Sequence, residues 1–200
     1  MAIDPDVRPA PPTDADTVAR TLAAAFADDP VMAWAFPDDR QRRIGVMFRF
    51  VVPAIDLAKG VSTTVSEHEA VALWRRPGDD GDPGYWDRVG NELATEIDGP
   101  LDRIDELGSL MAAHHPHDRE HWYLSAIGVR PDAQGRGLGT VLLAHTLAIA
   151  DAEGSPAYLE ATSPRSRALY ARFGFEVMGE FAPRGGPPLW PMWRAPSPAN

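Results

Sequence analysis

The stretch of residues 122–153 constrains the fold more than any other part of the sequence. Its first eight residues, Trp122–Val129, are aromatic or β-branched at both ends and predict a β-strand. Glycines then occupy alternate positions, Gly135, Gly137 and Gly139, and an apolar helical pattern follows them at once. Glycine lets a backbone lie flush against a ligand, and the start of a helix favours negative charge. The stretch therefore predicts a turn that binds phosphate.

Two common phosphate-binding motifs do not fit this turn. A nucleoside triphosphate loop needs a lysine after its last glycine, and the only lysine of the chain is Lys59. A dinucleotide fold needs Gly-x-Gly-x-x-Gly directly after the strand, whereas five residues separate Val129 from Gly135. Glu160 stands where a ribose-binding acid is expected, but about 40 residues remain after it, too few for the usual six-stranded sheet.

The spacing Gln134-x-x-Gly137-x-Gly139 does fit the pattern Gln/Arg-x-x-Gly-x-Gly/Ala. Downstream, residues 168–175 fit the pattern Leu-Tyr-x-x-x-Gly-Phe. Together the two motifs, with a predicted strand between them, resemble the acyl-CoA pyrophosphate loop and second signature of the GNAT superfamily of N-acetyltransferases. Further similarity, to the puromycin N-acetyltransferases of this superfamily, lies in three segments, 21–28, 71–74 and 158–165.

This resemblance implies a fold and a cofactor. The fold is expected to be of the α/β (α+β) class: a mixed, mostly antiparallel sheet of about seven strands, flanked by helices, with one parallel strand–helix–strand unit that binds acyl-CoA. The cofactor is expected to be acetyl-CoA. The residues expected to bind it are Ile127, Gly128, Val129, Gln134, Gly135, Arg136, Gly137, Leu138, Gly139 and Thr140.

Residue patterns along the chain predict the order of elements. Prolines confine residues 7–10 to an edge strand, and Pro53 kinks or restarts a long helix that Gly60 ends. Outside the 122–153 stretch, helices are predicted at 13–27 (with Thr13 as N-cap), 31–36, 40–58, 101–113 and 165–172. Strands are predicted at 61–67, 69–76, 157–161, 175–181 and 189–194, with a loop at 77–84 and no assigned element at 85–90.

Two side chains are candidates for chemistry on an amine. The resemblance places the hydroxyl of Tyr170 near the sulfur of CoA, where a phenol can protonate a leaving thiolate. Glu160 is the candidate base, acting through a water, because a carboxylate on the covered strand 157–161 needs either a partner or a wet cleft. The alternatives are that Tyr170 only packs its helix against the sheet, and that Glu160 pairs structurally with Arg165 or Arg167.

The acceptor pocket of this superfamily is built mainly from the first half of the chain. There, aromatic and acidic side chains could hold a flat or hydrophobic amine and attract its charge. The candidates are Phe26, Asp29, Trp34 and Trp74, and for each aromatic the alternative is core packing. Many members carry an asparagine seven residues before the tyrosine. Ser163 stands there instead and is expected to cap the following helix.

Four histidines, at positions 114, 115, 117 and 121, lie just before the central strand. Pro116 interrupts them, no helical i,i+4 pair is evident, and the chain has no cysteine, so no metal site is predicted. They are expected to line the acceptor entrance or to be exposed to solvent.

Composition excludes several classes of protein. The net charge of −10 is uneven, since residues 1–120 carry −11 and residues 121–200 carry +1, which disfavours nucleic acid as a partner. No apolar run approaches the length of a membrane span, and the absence of cysteine excludes an acyl-cysteine intermediate. We expect one cytoplasmic domain over residues 1–200, as a monomer or homodimer, with a flexible tail at 1–6 and an acyl-CoA-binding core at 120–175.

The sequence thus predicts an acetyl-CoA-dependent N-acetyltransferase whose acceptor is the primary amine of a small molecule, attacked directly in a ternary complex. By resemblance, the acceptor is a puromycin-like aminonucleoside or another antibiotic amine, which implies a role in antibiotic resistance. One alternative is an N-terminal or lysine acetyltransferase of proteins, and another is a non-catalytic acyl-CoA-binding regulatory domain.

Overall fold

The structure is a computed structural model that describes residues 6–55, 57–59, 61–79, 81–82 and 84–197. Residues 1–5 of the predicted tail and Gly60 at the predicted helix end lie outside the described residues. Within the described part, the strands are β1 (Val7–Pro9), β2 (Thr63–Val65), β3 (Ala70–Arg75), β4 (Trp122–Val129), β5 (Ala157–Ala161), β6 (Glu176–Val177) and β7 (Trp190–Arg194). They form one sheet in the order β1-β2-β3-β4-β5-β7-β6, and among these strands β4 and β5 are the one parallel pair. The predicted mixed, mostly antiparallel sheet is confirmed.

Helices cover both faces of the sheet. In the described part they are α1 (Ala15–Ala25), α2 (Pro30–Ala35), α3 (Arg40–Ala54), α4 (Tyr85–Ile97), α5 (Asp102–His114), α6 (Leu138–Ala152) and α7 (Pro164–Ala171). Buried side chains of α1 to α5 form one apolar core with Val71, Leu73 and Ala126 of the sheet. Those of α6 and α7 form a second core with Trp74, Trp122 and Leu159 on the opposite face. The sheet is therefore the middle layer of three.

The central strand β4 contains a β-bulge. Ala126 pairs with Leu73 and Leu124 pairs with Trp74, so Ser125 is an extra residue with no partner on β3. The bulge shifts the alternation of side chains along the strand. Leu124 belongs to the α6 core before it, and Ile127 packs against the same core after it.

Several details differ from the predictions, among them the strands predicted at 61–67 and 175–181, which cover only Thr63–Val65 and Glu176–Val177. α4 was not predicted, although Val89, Leu93 and Ile97 form an i,i+4 apolar stripe that packs into the α1–α5 core. Thr13 is not an N-cap, because it lies in a 3₁₀ turn, Pro12–Asp14, that precedes α1. The long helix ends at Ala54, one residue after its proline, and Leu57–Lys59 is a separate 3₁₀ turn.

Candidate functional site

The two parallel strands at the centre of the sheet part halfway along their length. Their pairing runs from Trp122 and Ala157 to Leu124 and Leu159, where it ends. Beyond that point β4 pairs with β3 alone and β5 with β7 alone. A gap therefore opens between residues 125–129 and the end of β5.

Main-chain polar groups of β4 line this gap. The N–H of Arg130 donates to the carbonyl of Glu69 at 2.9 Å, so residue 130 faces β3. Because main-chain groups of a strand alternate in direction, Gly128 also faces β3, whereas Ile127 and Val129 face the gap. The main-chain groups of Ile127 and Val129 therefore lie at an open strand edge, and their contact with a cofactor stays a prediction.

Gly128 has a different function from the predicted one. A Cβ atom at this position would lie 2.6 Å from Cβ of Ala25 and 3.1 Å from Cδ2 of Leu22, both in α1. The absence of a side chain lets α1 pack directly on the sheet, and the main chain of Gly128 is directed to β3. The structure thus does not bring Gly128 to the gap.

The glycine-rich turn follows the open end of β4. Gly135 and Gly137 have φ angles of +79° and +81°, and nothing lies within 4 Å of where their Cβ atoms would be. Glycine is needed there for backbone conformation rather than for space. Nε2 of Gln134 donates to the carbonyl of Val129 at 3.3 Å, which ties the turn to the end of the strand.

The turn also presents unused hydrogen-bond donors. In the described part of the chain, the N–H groups of residues 135–140 have no acceptor, and the first intrahelical bond of α6 runs from Val141 to Gly137. The side chain of Leu138 is buried in the α6 core and anchors the turn. These donors, together with the helix dipole, form a site for an anion. Arg136 is half-exposed and makes an ion pair with Glu69 at 2.7 Å.

Glu160 lies at the end of the paired region, on the face toward α5, and its side chain is 3% exposed. Oε2 accepts a hydrogen bond from the hydroxyl of Tyr123 at 3.0 Å, while Oε1 has no hydrogen-bond partner among the described residues. The predicted alternative, a pair with Arg165 or Arg167, does not occur, and the guanidinium of Arg167 lies 4.5 Å from the ring centre of Trp190 instead. The carboxylate is thus buried without an arginine.

Tyr170 is presented by α7, whose N-terminus Ser163 caps as predicted through a reciprocal capping box with Ser166. The ring of Tyr170 packs against Phe175, at 6.1 Å between centroids, and the residue is 7% exposed. Its hydroxyl forms no hydrogen bond with any described residue. Burial, followed by the charge of Asp29, raises the pKa of Tyr170, so the phenol keeps its proton at neutral pH.

Asp29 connects α2 to the end of β5. Its Oδ1 accepts hydrogen bonds from the N–H groups of Val31 and Met32, and its Oδ2 accepts one from Oγ1 of Thr162 at 2.5 Å. Burial raises the pKa of this carboxyl, although the three hydrogen bonds oppose that shift. Asp29 therefore brings negative charge close to Tyr170, and it is bonded to Thr162, which follows Glu160 by two positions in the chain.

The predicted acceptor aromatics separate into two groups. Phe26 and Trp34 are partly buried at the surface of the α1–α5 core, and the guanidinium of Arg103 lies 5.4 Å from the Trp34 ring. Trp74 is fully buried in the opposite core, where it packs edge-on against Trp122. This placement assigns Trp74 to core packing rather than to acceptor binding.

Sequence reasoning missed the surroundings of Glu160. His115, at the end of α5, places Nδ1 3.9 Å from Oε1 of Glu160, and its other ring nitrogen contacts His121. The signal available was Tyr123, a polar ring in the strand beside that of Glu160, two residues after a histidine. Among the described residues, no group of three or more His, Cys, Asp or Glu side chains could hold a metal ion.

The described residues thus combine a strand edge with free main-chain groups, a turn with unused N–H donors, a buried carboxylate and a buried phenol. A comparison with protein families gives the particular class, since residues 102–175 match the acetyltransferase (GNAT) family. The matched residues run from α5 to the Gly-Phe that follows α7 and include the whole glycine-rich turn. This match makes residues 102–175 similar to the GNAT acetyltransferases.

Solved structures agree with this assignment. One from Corynebacterium glutamicum, described as histone acetyltransferase HPA2 and related acetyltransferase, is 28% identical, with 99% of each chain covered and a TM-score of 0.71. An agmatine N-acetyltransferase is 16% identical, with 96% of this chain and 100% of that chain covered and a TM-score of 0.66. The arylalkylamine N-acetyltransferase 2 of Aedes aegypti is also 16% identical, with 98% of this chain and 100% of that chain covered and a TM-score of 0.66. At that identity the last two show a shared fold. No helix among the described residues has the length and apolar character to cross a membrane.

Proposed function

We propose that the protein transfers the acetyl group of acetyl-CoA to the primary amine of a small molecule, by direct attack in a ternary complex. One observation carries this proposal: the row of unused N–H donors at residues 135–140 adjoins a strand edge that leads to Glu160. A diphosphate and an extended amide chain would be held along that line, with the reacting end beside the carboxylate.

The residues present fit acetyl-CoA. The donors of the turn and the start of α6 suit its diphosphate, and the free main-chain groups of Ile127 and Val129 suit its amide-containing arm as an added strand. These contacts support residues 120–175 as the acyl-CoA-binding core of one domain. When bound, the cofactor supplies an activated thioester and a thiolate as leaving group.

Two side chains would move protons. Glu160 removes one from the attacking ammonium group, directly or through water, and its burial away from arginine leaves its charge available for that task. Tyr170 holds a proton on Oη that no described residue engages, and it donates that proton to the departing sulfur. Asp29 is placed to attract the positive charge of the amine before it loses its proton.

The acceptor class is proposed from side chains at the end of α1 and the start of α2. Asp29 supplies negative charge, and the partly exposed rings of Phe26 and Trp34 supply flat apolar surface. We therefore propose an aromatic or aliphatic amine, with puromycin-like aminonucleosides and other antibiotic amines as the first compounds to test in view of the sequence resemblance. Agmatine and arylalkylamines, named for structural neighbours, complete the panel.

Acetylation of a protein lysine or N-terminus is a second candidate. The observation that favours it is the 28% identical structure whose description includes a histone acetyltransferase. Peptide substrates added to the same panel separate the two candidates, because only a protein acetyltransferase should prefer a peptide to the free amine of matched charge.

The test is release of free CoA thiol across the amine panel, with the products identified by mass spectrometry. Tyr170→Phe and Glu160→Gln are each expected to lower kcat by about 100-fold while the Kd for CoA stays constant. Matched controls are Tyr85→Phe and Glu92→Gln, which remove the same groups from α4, outside the site. Turnover at the wild-type rate in both site variants would overturn the assigned roles, and absence of CoA binding by folded protein would overturn the proposal.

A further inference from the structure

Only one of the two carboxylate oxygens of Glu160 has a hydrogen-bond partner among the described residues. Oε2 has the hydroxyl of Tyr123, but Oε1 is sealed from solvent and has no hydrogen-bond partner in the described part of the chain. An unpaired buried carboxylate oxygen costs free energy unless a partner reaches it. The imidazole of His115 faces Oε1, with Nδ1 at 3.9 Å.

The ring of His115 is held in place on several sides. Its centroid lies 4.8 Å from that of Tyr123 and 5.0 Å from that of Tyr158, and both rings meet it edge-on. Backbone contact comes from the N–H of His115, which bonds to the carbonyl of Met111 at the end of α5. The imidazole therefore has a fixed position between the tyrosines, yet its side chain is 23% exposed to solvent.

His121 determines which nitrogen of His115 carries the proton. Nδ1 of His121 lies 3.0 Å from the carbonyl oxygen of Arg119, and because a carbonyl only accepts, that nitrogen carries hydrogen. Burial lowers the pKa of His121, which keeps the ring neutral and leaves its Nε2 as an acceptor. Nε2 of His115 lies 3.2 Å from it and must donate. In a neutral His115 the free lone pair is then on Nδ1, the atom that faces Glu160.

We propose that His115 receives the proton that Glu160 takes from the acceptor amine and passes it to solvent, and that His121 is a positioning residue that fixes the tautomer of His115. This inference rests on the proposed function, in which Glu160 is the base. It assigns a purpose to a histidine cluster that the sequence indicated only as an entrance loop or as exposed side chains.

The transfer balances with a single proton. It leaves the amine nitrogen, binds Oε1 of Glu160, moves to Nδ1 of His115 and then goes to water, so the carboxylate and the neutral imidazole are regenerated. The separation of 3.9 Å is longer than a hydrogen bond, and catalytic contacts of this kind commonly shorten when substrate binds.

Other groups around His115 do not compete for this proton. Tyr158 and Tyr123 face it from β5 and β4, and the pKa of each phenol is raised, first by burial and then by the charge of Glu160. His117 lies 5.4 Å away, ring to ring, and its Nε2 is bonded to the carbonyl of Ala112. Arg119 lies over the ring of Trp193 at 4.3 Å and its positive charge opposes protonation of His121.

The kinetic test compares His115→Gln with His117→Gln, a neighbour in the same loop that does not face Glu160. We expect His115→Gln to lower kcat by about 10-fold or more, with the KM for acetyl-CoA unchanged, and His117→Gln to have wild-type kcat. Free imidazole should restore turnover to His115→Ala and leave His117→Ala unaffected. Equal kcat in the two glutamine variants, or a loss that imidazole does not restore, would overturn the relay.

A spectroscopic test needs no activity and no variant that might misfold. Nitrogen-15 NMR of the wild-type imidazoles should show His121 protonated at Nδ1 and neutral His115 protonated at Nε2. The opposite tautomer in either ring would overturn the assignment. Glu160→Gln, assayed in parallel, separates this inference from the proposed function. If Glu160→Gln is inactive and His115→Gln is fully active, the relay alone is refuted. If Glu160→Gln is active, the proposed role of Glu160 as the base is refuted, and the relay with it.

Discussion

The paired and unpaired halves of β4 and β5 belong to the same two strands but differ in burial and in the hydrogen bonding of their polar groups. In the paired half, Trp122 and Leu159 are fully buried and the main chains bond to one another. In the unpaired half, Ile127 and Val129 present free main-chain groups, and Glu160 has an oxygen without a partner. The difference teaches that the open main-chain groups of this strand pair lie at one end of it, where the carboxylate of Glu160 also lies.

The paired half is also tied to the far end of α6. The main-chain N–H of Trp122 donates to the carbonyl of Pro156, and its indole N–H donates to Glu153 at 3.1 Å. Arg76 lies over the same indole ring at 4.7 Å. The gap therefore opens at the end of the pair that is opposite these contacts and follows the bulge at Ser125.

The largest expected effect is on the paired half. Trp122→Ala should lower the free energy of unfolding by about 4 kcal/mol, because it leaves a cavity under α6 beside Trp74. Urea denaturation measures the loss, and the Kd for CoA of the protein that remains folded should be unchanged. A large loss of CoA affinity at constant stability would show that the two halves are not separate in function.

The next effect concerns the boundary between the halves. Gly128→Ala should cost about 2 kcal/mol, since its methyl group would collide with Ala25 and displace α1 from the sheet. Gly108→Ala in α5, where nothing lies within 4 Å, is the control and should stabilise the protein by about 0.5 kcal/mol. Equal stability of the two variants would mean that α1 does not rest on Gly128.

A third comparison uses the two ends of α6. Gly137 and Gly154 have φ angles of +81° and +65°, and neither has a neighbour within 4 Å of its missing Cβ. Alanine at either position should cost about 1 kcal/mol of stability, the penalty of a left-handed side-chain residue. Only Gly137→Ala should also raise the Kd for CoA, by about tenfold, or about 1.4 kcal/mol. Calorimetry that shows equal binding by both variants would exclude the turn as the phosphate site.

Much of the fold was predictable because its patterns are local. The bounds of β4 and β5 agree with those expected from β-branched and aromatic runs, and Ser163 caps α7 as expected. α4 was not predicted, although Val89, Leu93 and Ile97 carry the helical i,i+4 spacing, because a Gly-, Asp- and Pro-rich loop precedes it and Gly90 interrupts it. The bulge at Ser125 could not be predicted from the residue types of β4, because it depends on how β4 is aligned with β3.

The candidate site was predictable where motifs are contiguous and not where the fold brings distant residues together. The glycine turn has the left-handed conformations that its residues indicated. Trp74 is buried because its face of β3 meets α6. Both faces of β3 are covered by helices, so the alternation of side chains along the strand does not tell which face meets α6. The neighbours of Glu160 come from α5 and β4, so no spacing in the sequence could connect them.

The smallest expected effect tests the edge of the open half. Arg136 is paired with Glu69, and both side chains are partly exposed, so phosphate oxygens can compete for the guanidinium. Glu69→Gln should therefore lower the Kd for CoA by about twofold at low ionic strength, and the gain should shrink as salt screens it. Glu67→Gln removes the same charge from an exposed position of the same turn and should have less effect. Equal gains would indicate that net charge near the turn, rather than competition for Arg136, controls affinity.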